Sequence, residues 1–406
     1  MEQRFFIQGG TSLVHQGERG EYASDWSGDD VAMFGSRIGR VGPTMRRDAG
    51  FYGPVFDASG LLVLPGIVDI HGDAFERQIQ PRPETVFDHE IALADTDRQL
   101  VANGITTACH GLTYSWEGGL RGREAALALF EQVARQRKSS HADHRIHLRF
   151  ENHNVEGLRD VLNWIAEGRI DFLAFNEHLP SIAAKSEKPE KLAAYAERAR
   201  CKPEIFKERL QTAQSRSSLV RGVIKAIAGA CREKNVPMAS HDDMTVDQRE
   251  YYQELGVKIS EFPRTQDALF AAMGLDNRVI MGAPNVLLGG SHCGGLAAID
   301  AVRSNMCDIL ASDYYYPSLL HAPFALVKHG ACTLTEAWRL VSENPAVALG
   351  LEDRGRIADG CRADLILVEA LPEGSVRLIA TIAAGKLAYC AEPARFMNPR
   401  AYKMAA

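Results

Sequence analysis

Six imidazole or carboxylate side chains close short apolar runs, where they could hold a cation. LVLPGIVDIHGD ends on His71 and Asp73, LRFEN on Glu151, LAFNEH on His178, MASHDD on His241 and ILASD on Asp313. Alternate residues of a strand share a face, so His71 and Asp73 can point to one side. Neutral imidazoles and carboxylates suit a borderline divalent cation, with ligand distances of about 2.0–2.2 Å. Zinc is the first expectation, with manganese or iron as alternatives, and one or two ions could be held. A carboxylate shared by two ions would keep them about 3.5–4 Å apart, and Glu151 is the candidate for that place. Such a cation lowers the pKa of water to roughly 7. Asp313 is the candidate to accept and return the proton, and His241 is counted with it as catalytic.

Taken singly, each of these residues has an ordinary structural reading. A histidine at a strand end is more often a satisfied core or surface group, and Asp242, Asp243 and Asp313 could cap the helices that follow them. His110, His153, His292 and His321 rank second for that reason, and His141, His144 and His147 are expected to be solvated near a helix–strand junction. The joint pattern argues for a metal site. Anion-holding groups are also visible. In MGAPNVLLGGSHCGG, Gly289, Gly290, Gly294 and Gly295 permit positive φ, so backbone N–H groups could form a nest with Ser291 and His292 as further donors, or the stretch is a plain loop after a strand. No GK[ST] follows, so this is not a P-loop. Arg77 and Arg82, just beyond the first strand, and Arg264 in EFPRT could grip phosphates bidentately or pair with surface carboxylates.

The six groups converge only if the strands that carry them lie side by side and parallel. Between residues 63 and 350, eight apolar runs alternate with longer stretches of helical spacing: PGIVDIH, GITTACH, HRIHLRF, IDFLAFNEH, VPMASHDD, VKISEFP, RVIMGAPN and CDILASD. This predicts an α/β fold, a TIM-like (β/α)8 barrel, whose catalytic groups gather at the C-terminal strand ends. Residues 1–62 hold short β-like runs broken by glycine, proline and aspartate. Residues 351–406 return to that pattern, with RIADGCRADLILVEA and VRLIATIAAGKLAYC as hairpin signals. The two ends are expected to form one small β-domain with the barrel inserted between them. The charged helical stretch 181–215 is expected to lie on the surface over the barrel mouth.

The chain has 406 residues, 46% hydrophobic and 24% charged, as befits an ordinary globular protein. Its formal charge of −6 gives no reason to expect nucleic acid or an anionic membrane as partner. A polyanionic substrate would have to be held by local cations. No apolar run approaches about 20 residues, so no membrane span is expected, and the first residues lack the order of a secretory signal. Eight scattered cysteines without a CxxC pair suggest reduced thiols and a cytoplasmic location.

PGIVDIHGD resembles the PGxxDxHxH opening of the amidohydrolase superfamily, and GITT and ENPAVALGLEDRGRIADGCRADLILV follow in that superfamily's order. More narrowly, the chain resembles its phosphonate-metabolism branch. The stretches that carry this are HGDAFER with PRP, HRIHLRFE, ASHDD, EFPRT, MGAPN with GGSHCGG, and DILASDYYYPSLLHA. The resemblance implies a metal-dependent hydrolase on a β/α barrel, with a small β-sandwich built from both termini. For the branch it implies hydrolysis of α-D-ribose 1-methylphosphonate 5-triphosphate with release of diphosphate. Carried over by position, His71, Asp73, Glu151, His178 and His241 would bind metal, and Asp313 would bind metal and manage protons. The chain departs from the branch in reading HGDA for HTDN, Phe150-Glu151 for CE and Asn176-Glu177-His178 for MDH. It also has LPSIAAKSE for PGQRQ and Pro263-Arg264-Thr265 for PTT. These changes are expected around the pocket and not in the metal set. His178 and His241 also fall one strand earlier than is usual for the superfamily. The alternative is a hydrolase of an amide, cyclic amide or amino-heterocycle on the same scaffold. A triphosphate needs several cationic donors around the metal, whereas an amide needs few. An inactive relative would have lost a ligand, and none is lost. The expected partner is a small phosphorylated molecule, and a homodimer is left open.

Overall fold

The structure, a computed structural model, describes residues 4–15, 24–43, 53–82, 85–289 and 297–397. Eight parallel strands form its centre: β1 (Ile67–Gly72), β2 (Ile105–Tyr114), β3 (Asp143–Glu151), β4 (Phe172–Asn176), β5 (Met238–His241), β6 (Ile259–Glu261), β7 (Arg278–Gly282) and β8 (Ile309–Ala311). Each pairs with the next in chain order. The ends meet through a parallel bridge between Gly72 and Asp313. There the Asp313 N–H donates to the His71 carbonyl at 2.9 Å, and the Asp73 N–H to the Asp313 carbonyl at 2.8 Å. The barrel therefore closes between two of the strands expected to carry ligands. These are the eight runs read from the sequence, so His178 does follow the fourth strand and His241 does end the fifth.

Strands covered on both faces read as continuous apolar runs, because neither face meets water. Val68, Ile70, Phe172, Ile259, Ile280 and Ile309 fill the barrel interior, and Leu148, Phe150, Trp164 and Ile227 belong to the outer layer between strands and helices.

The chain ends form a β-sandwich. One sheet runs Phe396–Met397, Val55–Asp57, Arg4–Gln8, Asp30–Phe34, Arg37–Gly42. The other runs Lys386–Cys390, Val376–Ala383, Leu365–Ala370, Leu62–Pro65, Thr11–His15, Ser24–Ser27. Both termini contribute to each sheet, and Ile7, Met33, Phe56, Leu365 and Ile382 are buried between the two. After β4 the charged stretch forms three helices, Leu179–Lys185, Pro189–Arg198 and Pro203–Ser215. Proline opens the last two at the position where its missing N–H costs nothing. The three share a small apolar centre of Leu179, Ile182, Phe206 and Leu210. Among the described residues no helix is long and apolar enough to cross a membrane, and the seven described cysteines are free.

Candidate metal centre

The six expected residues come together at the C-terminal ends of the strands. Single ligand atoms of His71, Asp73 and Asp313 lie within 4.8 Å of one another, as do those of His178, His241 and Asp242, and those of His71, His147 and Glu261. The groups are contiguous. The His71 and His241 rings stack at 5.6 Å between centroids, and His178 Nδ1 is hydrogen-bonded to Glu151 Oε1. The other Glu151 oxygen accepts the His178 backbone N–H at 3.3 Å. His71 and Glu151 are fully buried.

Local backbone geometry aims these groups. Asp242, Phe262 and Asp313, just beyond β5, β6 and β8, adopt φ of 60°, 55° and 54°. Non-glycine residues enter this left-handed region at a cost of roughly 1–2 kcal/mol, which the surroundings must cover. Each is pinned by its N–H donating to the next strand: Asp242 to Glu261 O at 2.9 Å, Phe262 to Ile280 O at 3.0 Å, Asp313 to His71 O at 2.9 Å. Gly72 is required for space. A Cβ there would lie 2.6 Å from Asp69 Oδ2 and 2.9 Å from Ser312 Oγ. Asp69 accepts the Ser312 N–H at 3.1 Å and its hydroxyl at 2.6 Å, and burial pushes its carboxyl up to about 6.

Glu261 was not singled out from the sequence. It is fully buried, with Oε1 2.7 Å from His71 Nδ1 and Oε2 2.7 Å from His241 Nδ1. One carboxylate thus sets two rings, as hydrogen-bond partners of metal-bound histidines commonly do. The signal was present, since VKISEFP is another apolar run closed by an acidic group. His144 and His147 correct the expectation of solvated side chains: both are buried. They lie within β3, not before it, so alternation sends His147 into the barrel and His144 toward the helices. Asp243 is not a cap either. It accepts from Ser240 Oγ at 2.7 Å and Ser260 Oγ at 2.9 Å, while Thr245 caps the helix Val246–Glu254. Phe150 packs near Tyr114 in the outer layer, so that departure does not line the site.

The donor set fits a divalent cation. His71 Nε2 is buried with no hydrogen-bond partner, and so are both ring nitrogens of His147. Burial, then the charge of Arg149, holds His241 down to about 3 and His71 well below its ordinary value, so both rings stay neutral at pH 7. Burial and the neighbouring Asp73 charge raise Asp313 to about 7. Crowded carboxylates beside an unpaired imidazole nitrogen are relieved by a cation.

Guanidinium groups surround this cluster. Arg149 Nη1 lies 3.3 Å from Asp73 Oδ2, and its Nη2 lies 3.2 Å from His241 Nε2. Arg121 and Arg77 also act on the Asp73 charge; Arg77 donates to the Tyr314 carbonyl. Arg264 Nη1 is 3.5 Å from Asp242 Oδ2. Arg82 is exposed, and its Nε–H donates to Thr85 Oγ1 at 3.2 Å. Gly289 takes the left-handed φ of 72° as the C-cap of Ala283–Leu288. Gly290, Ser291 and His292 lie outside the described residues.

A sequence profile of the amidohydrolase family matches residues 62–389. The chain belongs to the amidohydrolase family. It is 34% identical over 323 residues to the alpha-D-ribose 1-methylphosphonate 5-triphosphate diphosphatase of Escherichia coli (strain K12), covering 77% of this chain and 84% of that one. The N-isopropylammelide isopropylaminohydrolase from Burkholderia multivorans superposes with a TM-score of 0.62 at 15% identity, covering 95% of this chain and 98% of that one. The dihydropyrimidinase from Brevibacillus agri gives 0.57 at 13% identity, covering 95% of each. Likeness at that identity speaks to the fold alone. The amidohydrolase is therefore a hydrolase with candidate metal sites at the mouth of its barrel.

Proposed function

We propose that this amidohydrolase cleaves α-D-ribose 1-methylphosphonate 5-triphosphate, or a related sugar triphosphate, releasing diphosphate in phosphonate catabolism. His71, Asp73, Glu151, His178, His241 and Asp313 would hold one or two divalent cations, zinc first. The observation that carries this reading is the set of guanidinium groups of Arg149, Arg121, Arg77 and Arg264 about Asp73 and Asp242. An uncharged amide gains little from four such groups, whereas a triphosphate requires them. The relative at 34% identity supports the same substrate class.

A bound divalent cation would supply Lewis acidity and acidify water at neutral pH. The chain's own residues do the rest. Glu261 fixes the His71 and His241 rings through their Nδ1 atoms, so that Nε2 of each would be the atom to hold a cation. Asp313, grouped with His71 and Asp73 at the strand ends, would accept a proton at its carboxylate and return it to the leaving group. Arg149, whose terminal nitrogens meet Asp73 and His241, would turn to phosphoryl oxygens once a cation takes over those two groups.

The test strips metal with a chelator, restores it, and assays sugar and nucleoside triphosphates against cyclic amides and amino-heterocycles. Metal-dependent diphosphate release, followed by phosphorus NMR, is the expected result. Turnover of carbon–nitrogen substrates alone would replace this reading with the amide-hydrolase alternative.

A further inference from the structure

The charged helices that follow β4 build a second concave surface. It is a cavity of about 530 Å³ whose lining includes Lys185, Lys188, Lys191, Tyr195 and Arg198, and no carboxylate. Glu187, Glu190 and Glu197 of the same segment are outside that lining. Among the described residues no ion pair ties any of the three lysines to a carboxylate. Lys188, Lys191, Tyr195 and Arg198 recur at intervals of three and four, so they share one face of Pro189–Arg198. Lys188 is the N-cap and Lys191 lies in the first turn, at the positive end of the helix dipole, where a cation is unfavourable. Helix stability does not account for them.

Arg198 lies over the Tyr195 ring, 5.1 Å from its centroid, and pairs with Glu117. Glu117 also accepts from Arg121 Nη1 at 3.3 Å, and Arg121 acts on Glu151 and Asp73. Alternating guanidinium and carboxylate groups thus run from the cavity to the metal centre. The chain carries −6 overall, so this concentration of positive charge is local.

We propose that the cavity is an anion subsite for a diphosphate group. Three ammonium groups supply point charges from one concave wall, and a volume of that order is typical of small-molecule sites, about 300–1,000 Å³. The diphosphate belongs either to the tail of the substrate or to free diphosphate. Its part in turnover rests on the function proposed above; the binding does not.

Calorimetric titration of inorganic diphosphate into the full chain, both metal-loaded and chelated, tests the subsite. A binding event that survives chelation is expected, weakened by on the order of tenfold or more in the Lys188→Glu, Lys191→Glu double variant. Lys234→Glu, an exposed site elsewhere, serves as the charge control. A raised KM with unchanged kcat in the double variant assigns the subsite to the substrate tail. An unchanged KM with relief of diphosphate inhibition assigns it to the free anion. Either result supports the subsite. Absence of chelation-resistant binding, affinity unchanged in the double variant, or equal loss in Lys234→Glu overturns it. If no triphosphate is hydrolysed, the functional reading falls while the titration still decides the subsite.

Discussion

Glu261 accepts from two rings with its two oxygens, at 2.7 Å each, and an amide cannot repeat that. Glu261→Gln offers one acceptor and one donor, so one imidazole must reverse its tautomer and present a protonated Nε2. Metal affinity is expected to fall about 10–100-fold, read by competition with a chelating dye. Wild-type affinity in that variant would remove the orienting role. Asp313→Asn should keep its metal, by elemental analysis, while turnover drops on the order of 10²–10⁴-fold. In chelated protein the sign can also be checked through stability. Burial and Asp73 hold the Asp313 carboxyl at about 7 when folded, above its unfolded value. The folded state therefore binds the extra proton, and stability is lost as pH rises from about 4 to about 7. Asp313→Asn has no charge to develop, so its Tm should gain on wild type across that window. A constant difference would show that the carboxyl is not raised.

At the next scale, Asp97 joins the helix His89–Val101 to the start of β3. Its Oδ1 accepts the Ala142 N–H at 2.9 Å and meets His144 Nε2 at 3.0 Å, and its Oδ2 accepts the His141 N–H at 3.0 Å. His144 Nδ1 continues to His110 Nε2 at 2.8 Å. Burial works against the charge, yet these bonds pull Asp97 down to about 2. Its contribution is therefore present above the unfolded pKa and lost as pH falls through about 2, a linkage of roughly 2 kcal/mol. Asp97→Asn should lower unfolding free energy by that order at pH 7 in urea titrations, and by less near pH 2. An equal loss at both would point to packing instead of charge. The eight strands were legible because each is an apolar run of the right length between helical spacings. Which face each residue took was less legible. A run greasy on both sides carries no alternation to show that His147 points inward and His144 outward.

For the whole molecule, the sandwich is bonded to the barrel at several points. Leu62–Pro65 leads directly into β1 and pairs antiparallel with Leu365–Val368. Thr381 Oγ1 donates to the Val101 carbonyl at 2.7 Å, and Arg354 Nη1 to Asp143 Oδ2 at 2.7 Å. Truncation after Asp364 would remove the partner of Leu62–Pro65 and uncover the apolar centre between the sheets. Loss of cooperative thermal unfolding is expected, and a soluble fragment with the full-length Tm would refute the dependence.

Local period and residue chemistry suffice for the eight strands, the small β-domain at the ends and the six groups that close their runs. None of these needs knowledge of what lies opposite. Barrel closure brings Glu261 to His71, 190 residues away, while in-register pairing of β5 with β6 brings it to His241, 20 residues away. Backbone bonds to the adjoining strand hold the left-handed turns at Asp242, Phe262 and Asp313, and only the last of these crosses the closing seam. Those contacts arise between side chains and backbone groups on different strands, where neither spacing nor composition carries a trace of the partner.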